Sequence, residues 1–188
     1  MNAIAFLVVA WVLLGLQLGL SETLRLGISG PAPDLLLVLA AFAALQAPVR
    51  TALWTAFLLG LVTDLTWTVA RPGGSAVPVF GPHALGYVLG AQAIVSIRGN
   101  LIRRNPLTLG AVTLIAGVIA GVLVVAMMTL RTTYDPIVWR AGSELATRMG
   151  AAVYSGVAGV ITAFALLPLT PILGLGTTTG RVGRWTVR

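Results

Sequence analysis

Apolar residues fill most of the chain in runs of helix length, and short stretches with proline, glycine and arginine separate the runs. A helix of about 20 apolar residues can cross the hydrocarbon core of a bilayer. The pattern therefore predicts one all-α domain over residues 1–188 with six transmembrane helices. The predicted spans are 3–20, 33–47, 49–70, 82–98, 107–130 and 149–167.

The first run could also be a secretory signal peptide. It has no basic residue before it and no small-residue cleavage pattern after it. We therefore interpret it as the first transmembrane helix.

Prolines mark the expected starts of the later helices. Proline has no backbone N–H, and it is tolerated in the first helical turn because an N–H there would have no partner within the helix. The five prolines are Pro33, Pro48, Pro82, Pro106 and Pro136. Asn105 and Asp135 each precede one of them and are predicted N-cap residues.

A more polar stretch precedes the last span. Arg140, Glu144 and Arg148 recur every four residues and so share one face of a helix. This spacing predicts an interfacial amphipathic helix over residues 136–148, ahead of the sixth span.

The composition is that of an integral membrane protein. Of the 188 residues, 57% are hydrophobic and 9% are charged, and the mean hydropathy is +0.97; a soluble domain carries about 25% charged residues. All 12 basic residues are arginines and the net charge is +7. They are scattered singly between apolar runs, which favours contact with lipid headgroups over nucleic-acid binding. With no cysteine and one histidine, we expect no metal site and no cofactor.

The arginines also predict a topology. With six spans, one side of the membrane collects seven arginines and no acid: Arg50, Arg98, Arg103, Arg104, Arg181, Arg184 and Arg188. The other side collects five arginines and three acids. The positive-inside rule then puts both termini in the cytoplasm.

Three polar residues interrupt the apolar runs. Asp64 lies late in the third span and is either a functional buried acid or a structural carboxylate that caps a neighbouring helix or reaches the interface. Asp34 follows Pro33 and is expected to cap its own helix. His83 follows Pro82, where an imidazole is either a polar helix-start residue or a group that senses pH or binds a partner.

Catalysis is not expected. The one candidate pair of nucleophile and base is Ser75 with His83. The match is poor, because Ser75 lies in a glycine-rich loop and not at a helix start.

Glycines at spaced positions are expected to let helices approach each other closely. The candidates are Gly60, Gly86, Gly90, Gly117, Gly121 and Gly159. Gly117 and Gly121, on the span with no charge, are further expected to face lipid and to contact a partner helix.

Three stretches in order resemble the MreD family of rod-shape-determining proteins. They are Pro-Asp-Leu-Leu-Leu-Val at 33–38, Gly-Leu-Val-Thr-Asp at 60–64 and Phe-Gly-Pro-His-Ala-Leu-Gly-Tyr at 80–87. The motif-bearing part covers about a third of the chain. The matching positions are Pro33, Asp34, Gly60, Asp64, Gly81, His83 and Gly86; Phe80 stands where the family more often has leucine.

The resemblance implies a non-enzymatic scaffold subunit of the bacterial cell-elongation complex in the inner membrane. Its expected partners are MreC and, directly or indirectly, RodA, its class B penicillin-binding protein and MreB, with membrane lipids around them. The implied fold is similar to that of the substrate-binding subunits of energy-coupling factor transporters. The alternative function is therefore a binding subunit for a vitamin or a metal in such a transporter.

Overall fold

The computed structural model describes residues 2–25, 30–72, 74 and 76–175. Within these ranges the chain is mostly helical. Its helices are α1 (Ala3–Leu24), α2 (Leu35–Gln46), α3 (Val49–Thr66), α4 (Pro82–Ile97), α5 (Pro106–Arg131) and α6 (Ala141–Leu169), with a short 3-10 helix at Arg98–Asn100. Strands β1 (Thr68–Ala70) and β2 (Ala76–Pro78) form an antiparallel hairpin between α3 and α4, with Val69 opposite Val77.

The short helix α2 is the centre of the bundle. Every residue from Leu35 to Leu45 is buried, and α2 contacts each of the other five α-helices. A helix that is surrounded by protein has no lipid-facing surface to match to the bilayer thickness, which explains why 12 residues are enough here.

The bundle has two distinct ends. At the end that we call the terminal end, the Asn2 N–H donates to the Leu173 carbonyl at 2.8 Å. At the opposite end, which we call the hairpin end, the β1–β2 hairpin lies beside a small apolar cluster that includes Val69, Val124 and Met128, with Ile137 and Trp139 packed against it.

Four of the described helices are long and apolar enough to cross a membrane, consistent with a multi-pass membrane protein. They are α1 (in its segment Ala3–Leu20), α3, α5 and α6. The helix α2 is apolar but shorter.

The proline rule holds at several helix starts. Pro82 and Pro106 are the first residues of α4 and α5, Pro48 is the N-cap residue of α3, and Pro33 lies two residues before α2. The predicted N-cap at Asn105 is confirmed, because its side chain accepts a hydrogen bond from the Leu107 N–H.

The rule is wrong at Pro136. Residues 136–140 are not helical; the Val138 N–H donates to the Ala70 carbonyl, so this segment runs along the hairpin. Asp135 does not cap a helix but binds Arg71 and Arg131, each at 2.8 Å.

Two helix boundaries also differ from the prediction. In place of an interfacial helix over 136–148 and a separate span from 149, one helix runs without a break from Ala141 to Leu169. The third helix ends at Thr66 and not at residue 70, because Trp67 is extended and the chain continues into β1.

Candidate functional site

Polar side chains gather inside the bundle at the hairpin end. They come from the start of α2, from α3, from α4 and from α6, and we call them the polar cluster. Its members are Asp34, Asp64, His83, Tyr87, Arg148 and Ser155. An unpaired polar group in an apolar interior costs several kcal/mol, so the partners of each group decide what the cluster can do.

Asp64 caps the neighbouring helix α4. The carboxylate is fully buried. One oxygen accepts hydrogen bonds from the Gly81 N–H at 2.8 Å and the Ala84 N–H at 3.1 Å, and the other accepts from the His83 N–H at 3.0 Å. Pro82 has no N–H, so Asp64 satisfies all the donors at this buried helix start.

Gly81 suits this cap because of its backbone conformation. It is the N-cap residue of α4 and has φ 112°, a region that residues with a side chain rarely adopt.

His83 joins Asp64 to Arg148. Its Nδ1 lies 2.8 Å from Asp64 Oδ1 and its Nε2 lies 3.0 Å from Arg148 Nη1. A guanidinium can only donate, so Nε2 accepts, and the ring proton is on Nδ1 and is donated to Asp64. The two charged groups are thus bridged by a neutral imidazole. Trp67 covers the cationic end, with Arg148 Cζ 5.0 Å from the ring centroid.

The start of α2 is capped in a similar way by groups from other helices. The Asp34 N–H donates to Ser155 Oγ at 2.8 Å, and Gln17 Oε1 on α1 accepts from Leu35 and Leu36 at 2.9 and 3.1 Å. Asp34 itself accepts from the Leu37 N–H at 3.0 Å. Each of these N–H groups therefore has a side-chain acceptor.

Tyr87 completes the cluster. Its hydroxyl donates to Asp34 and lies 3.2 Å from the Thr63 hydroxyl. It thus ties α4 to the starting turn of α2.

The charges in the polar cluster nearly balance. Two carboxylates are offset by the Arg148 guanidinium and by the positive ends of α2 and α4, each equivalent to about half an elementary charge.

A small cavity adjoins the polar cluster. It has a volume of about 70 Å³ and is lined in part by Asp34, His83, Tyr87, Arg148 and Ser155. Pockets for small molecules usually measure about 300–1,000 Å³, so this cavity has room for water molecules but not for a vitamin-sized ligand.

The candidate glycines all lie at contacts between helices of this chain. A Cβ built on Gly60 would lie 2.6 Å from Ala84 Cα. Gly86 and Gly90 lie against Ala120 and Ala116 on α5.

The other three glycines lie between α5 and α6. Gly117 faces Ala152, Gly121 faces Arg148 and Met149, and Gly159 faces Thr113. The expectation that Gly117 and Gly121 face lipid and contact a partner helix is therefore wrong, because α6 already covers both of them.

Several members of the cluster could not be identified from the sequence as site residues. The spacing of Arg148 with Arg140 and Glu144 predicts an interfacial helix. No pattern in the sequence marks Ser155, or Gln17 beside the cluster, as a site residue. Tyr87 ends the third stretch that resembles the MreD family, and the sequence predicts no contact for it. The one available signal was that Arg148 and Gln17 are polar groups next to or within apolar spans, which usually need a partner.

The remaining candidates give no second site. Ser75 lies outside the described residues. Within the described ranges, no three His, Cys, Asp or Glu side chains are grouped closely enough to hold a metal ion.

No family model, curated protein or solved structure matches this chain. The geometry of the polar cluster and the motifs that supply it are therefore the basis on which a function can be proposed.

Proposed function

We propose that this chain is a non-enzymatic scaffold subunit of the bacterial cell-elongation complex, a member of the MreD family that binds MreC. The observation that carries the proposal is that the three stretches resembling this family meet in the polar cluster. Asp34 comes from the first stretch, Asp64 from the second and His83 from the third.

The three stretches depend on one another physically. The second supplies both the carboxylate that caps α4 and Gly60, which lets the start of α4 approach α3 closely. The third supplies Gly81 and His83 to that cap and Tyr87 to Asp34 of the first stretch. A coincidental match in hydropathy alone has no reason to place matching polar residues in contact.

The polar cluster favours a scaffold over the alternative, a vitamin-binding or metal-binding transport subunit. Its carboxylates, imidazole and hydroxyls cap helices or bind one another, and Arg148 Nε is its one buried donor without a partner in the described part of the chain. The cavity of about 70 Å³ beside it is several times smaller than usual small-molecule sites.

The proposal also includes a membrane topology for this chain. We propose that α2 and α4 complete six crossings in an arrangement similar to the substrate-binding subunits of energy-coupling factor transporters. The terminal end, with Arg50, Arg98, Arg103 and Arg104, then faces the cytoplasm across the inner membrane. The polar cluster and the hairpin lie near the opposite surface.

The proposed assembly contains the single-span protein MreC. RodA, its class B penicillin-binding protein and MreB filaments join it directly or through MreC.

Purification of the tagged chain from its native host in mild detergent, followed by mass spectrometry of the companions, tests this proposal. We expect MreC in stoichiometric yield, with RodA or its transpeptidase in the same fraction. Recovery of a transport ATPase module or a retained vitamin, or a chain that carries none of the rod-complex proteins, would contradict it. An unrelated polytopic protein of the same host, tagged and purified identically, is the control for adventitious companions.

A further inference from the structure

Helix α1 is the least packed of the membrane-crossing helices. Only 11% of its most apolar segment is buried, against 39% for α3 and 50% for α5. It rests on α2 and is separated from α3 by an open groove with a volume of about 340 Å³. The lining includes Phe6, Ala10, Leu14, Leu36, Leu59 and Val62.

The dimensions of the groove indicate the thickness of what fits in it. Its lining on α1 extends from Ala3 to Leu14, which is a length of about 16 Å at 1.5 Å per residue. Dividing the volume of about 340 Å³ by this length gives a cross-section of about 20 Å². A groove of this length and volume has room for an alkyl chain laid along α1.

The lining also selects an apolar occupant. Two lining residues carry a polar side-chain group, Thr55 and Trp11. The Thr55 hydroxyl is engaged with the Thr51 and Ala52 carbonyls at 2.8 and 2.9 Å, and the Trp11 ring is otherwise apolar. An occupant of the groove thus finds no free side-chain hydroxyl, which suits an alkyl chain.

Charge complementarity indicates the headgroup. The groove begins beside Ala3, at the terminal end of the bundle. The exposed Arg50 lies in the first turn of α3 at that end, before Thr55 of the lining. The five acidic residues of the chain lie towards the other end: Glu22, Asp34, Asp64, Asp135 and Glu144. Arginine binds phosphate oxygens in a bidentate manner.

We propose that the groove between α1 and α3 is a binding site for one acyl chain of an anionic phospholipid, with the headgroup at the terminal end. The lipid would fill the space that α1 leaves beside α3 and so hold α1 against the bundle. This site is separate from the polar cluster and does not depend on the identity of the protein partner.

Native mass spectrometry of the detergent-purified chain, with phosphatidylglycerol or phosphatidylcholine added to the micelles, tests the proposal. We expect one phosphatidylglycerol retained per chain. Ala10→Phe places a ring in the groove and is expected to lower retention at least tenfold. Ala126→Phe, the same change at an exposed position of α5 outside the groove, is the matched control and is expected to leave retention unchanged.

Wild-type protein that retains no lipid would overturn the proposal. A groove covered by a second copy of the chain or by a partner helix would give this result. Equal retention by wild-type and Ala10→Phe would also do so. If circular dichroism shows that Ala10→Phe does not fold, the smaller Ala10→Leu change takes its place. Equal retention of the two lipids, or no selective loss of phosphatidylglycerol in Arg50→Gln, would remove the anionic headgroup from the proposal.

Discussion

Asp64 shows how a full charge can be accommodated inside an apolar bundle. Four hydrogen bonds from Gly81, His83 and Ala84 reach its two oxygens. Three of the four come from the backbone at the start of α4, where the helix dipole also favours a negative charge. The Asp64 carboxylate thus stabilises the start of α4, and its charge is balanced by the N–H groups that it caps.

Asp135, outside the membrane-crossing helices, predicts a pH dependence. Hydrogen bonds from Arg131 and then Arg71 hold the pKa of its carboxyl below the usual value. A carboxyl with a lowered folded-state pKa contributes stability above its unfolded pKa, about 3.9, and loses it as the pH falls through the folded-state value. Wild-type protein should therefore be more stable than Asp135→Asn at pH 7, and the difference should shrink below about pH 4.

Thermal unfolding in detergent across this pH range measures the effect. Glu22→Gln, at an exposed position on α1, is the control and should show a smaller difference at pH 7. A difference between wild-type and Asp135→Asn that stays constant down to pH 2 would show that the ion pairs are not its cause.

For single residues, the sequence predicts contacts between neighbours along the chain but not contacts between residues far apart in the chain. Asp34 directly precedes an apolar run, so its capping role can be inferred from its neighbours. Arg148 binds a residue 65 positions earlier in the chain, and its spacing with Arg140 and Glu144 pointed to an exposed face. No sequence pattern around Arg148 predicts its contact with His83.

The helices depend on one another through their ends. Arg98, at the end of α4, donates to the Ala44 and Ala47 carbonyls at the end of α2. Gln17 of α1 accepts at the start of α2. A short helix that is buried at both ends needs such partners, because water is excluded from its terminal groups.

The contact between α3 and α4 predicts a strong effect for one glycine substitution. In Gly60→Ala the new Cβ would lie 2.6 Å from Ala84 Cα and 2.7 Å from the His83 carbonyl oxygen, both backbone atoms. The two helices must separate, which should lower the free energy of unfolding by about 1–3 kcal/mol. Gly15→Ala is the matched control, since nothing lies within 4 Å of its Cβ, and it should be neutral or stabilising because alanine favours helix.

Unfolding of both variants in mixed micelles with increasing SDS gives the comparison. Equal unfolding midpoints for Gly60→Ala and Gly15→Ala would contradict the close packing of α3 on α4.

Helix starts can be predicted from the sequence better than helix ends. Proline fixes φ and lacks an N–H, so Pro82 and Pro106 mark the first turns directly. The end of α3 is set by Trp67, which packs on His83 of the next helix with ring centroids 4.9 Å apart. Pro136 looks like a helix start, but the Ala70 carbonyl holds the nearby Val138 in extended backbone.

The whole molecule is arranged around α2, with the polar cluster at one end and arginines at the other. Its apolar helices, their approximate number and the importance of Asp34, Asp64 and His83 could be inferred from apolar runs and interrupting polar residues. The central place of α2 could not, because a short apolar run is equally compatible with a re-entrant segment or a thinned membrane.

The central claim is that the polar cluster stabilises the helix bundle and that the proposed partner, MreC, binds elsewhere on the chain. Asp64→Asn tests it, because asparagine keeps the shape but has one acceptor oxygen in place of two. It should lower the free energy of unfolding by about 2–3 kcal/mol, since donors to a buried charge lose their partner.

The most direct measurement is the yield of the proposed partner MreC captured by tagged Asp64→Asn protein, below and above the unfolding temperature of this variant. The account predicts a lowered unfolding temperature with capture equal to wild-type below it. A variant that is folded and as stable as wild-type but captures no MreC would contradict the account and make Asp64 a partner contact.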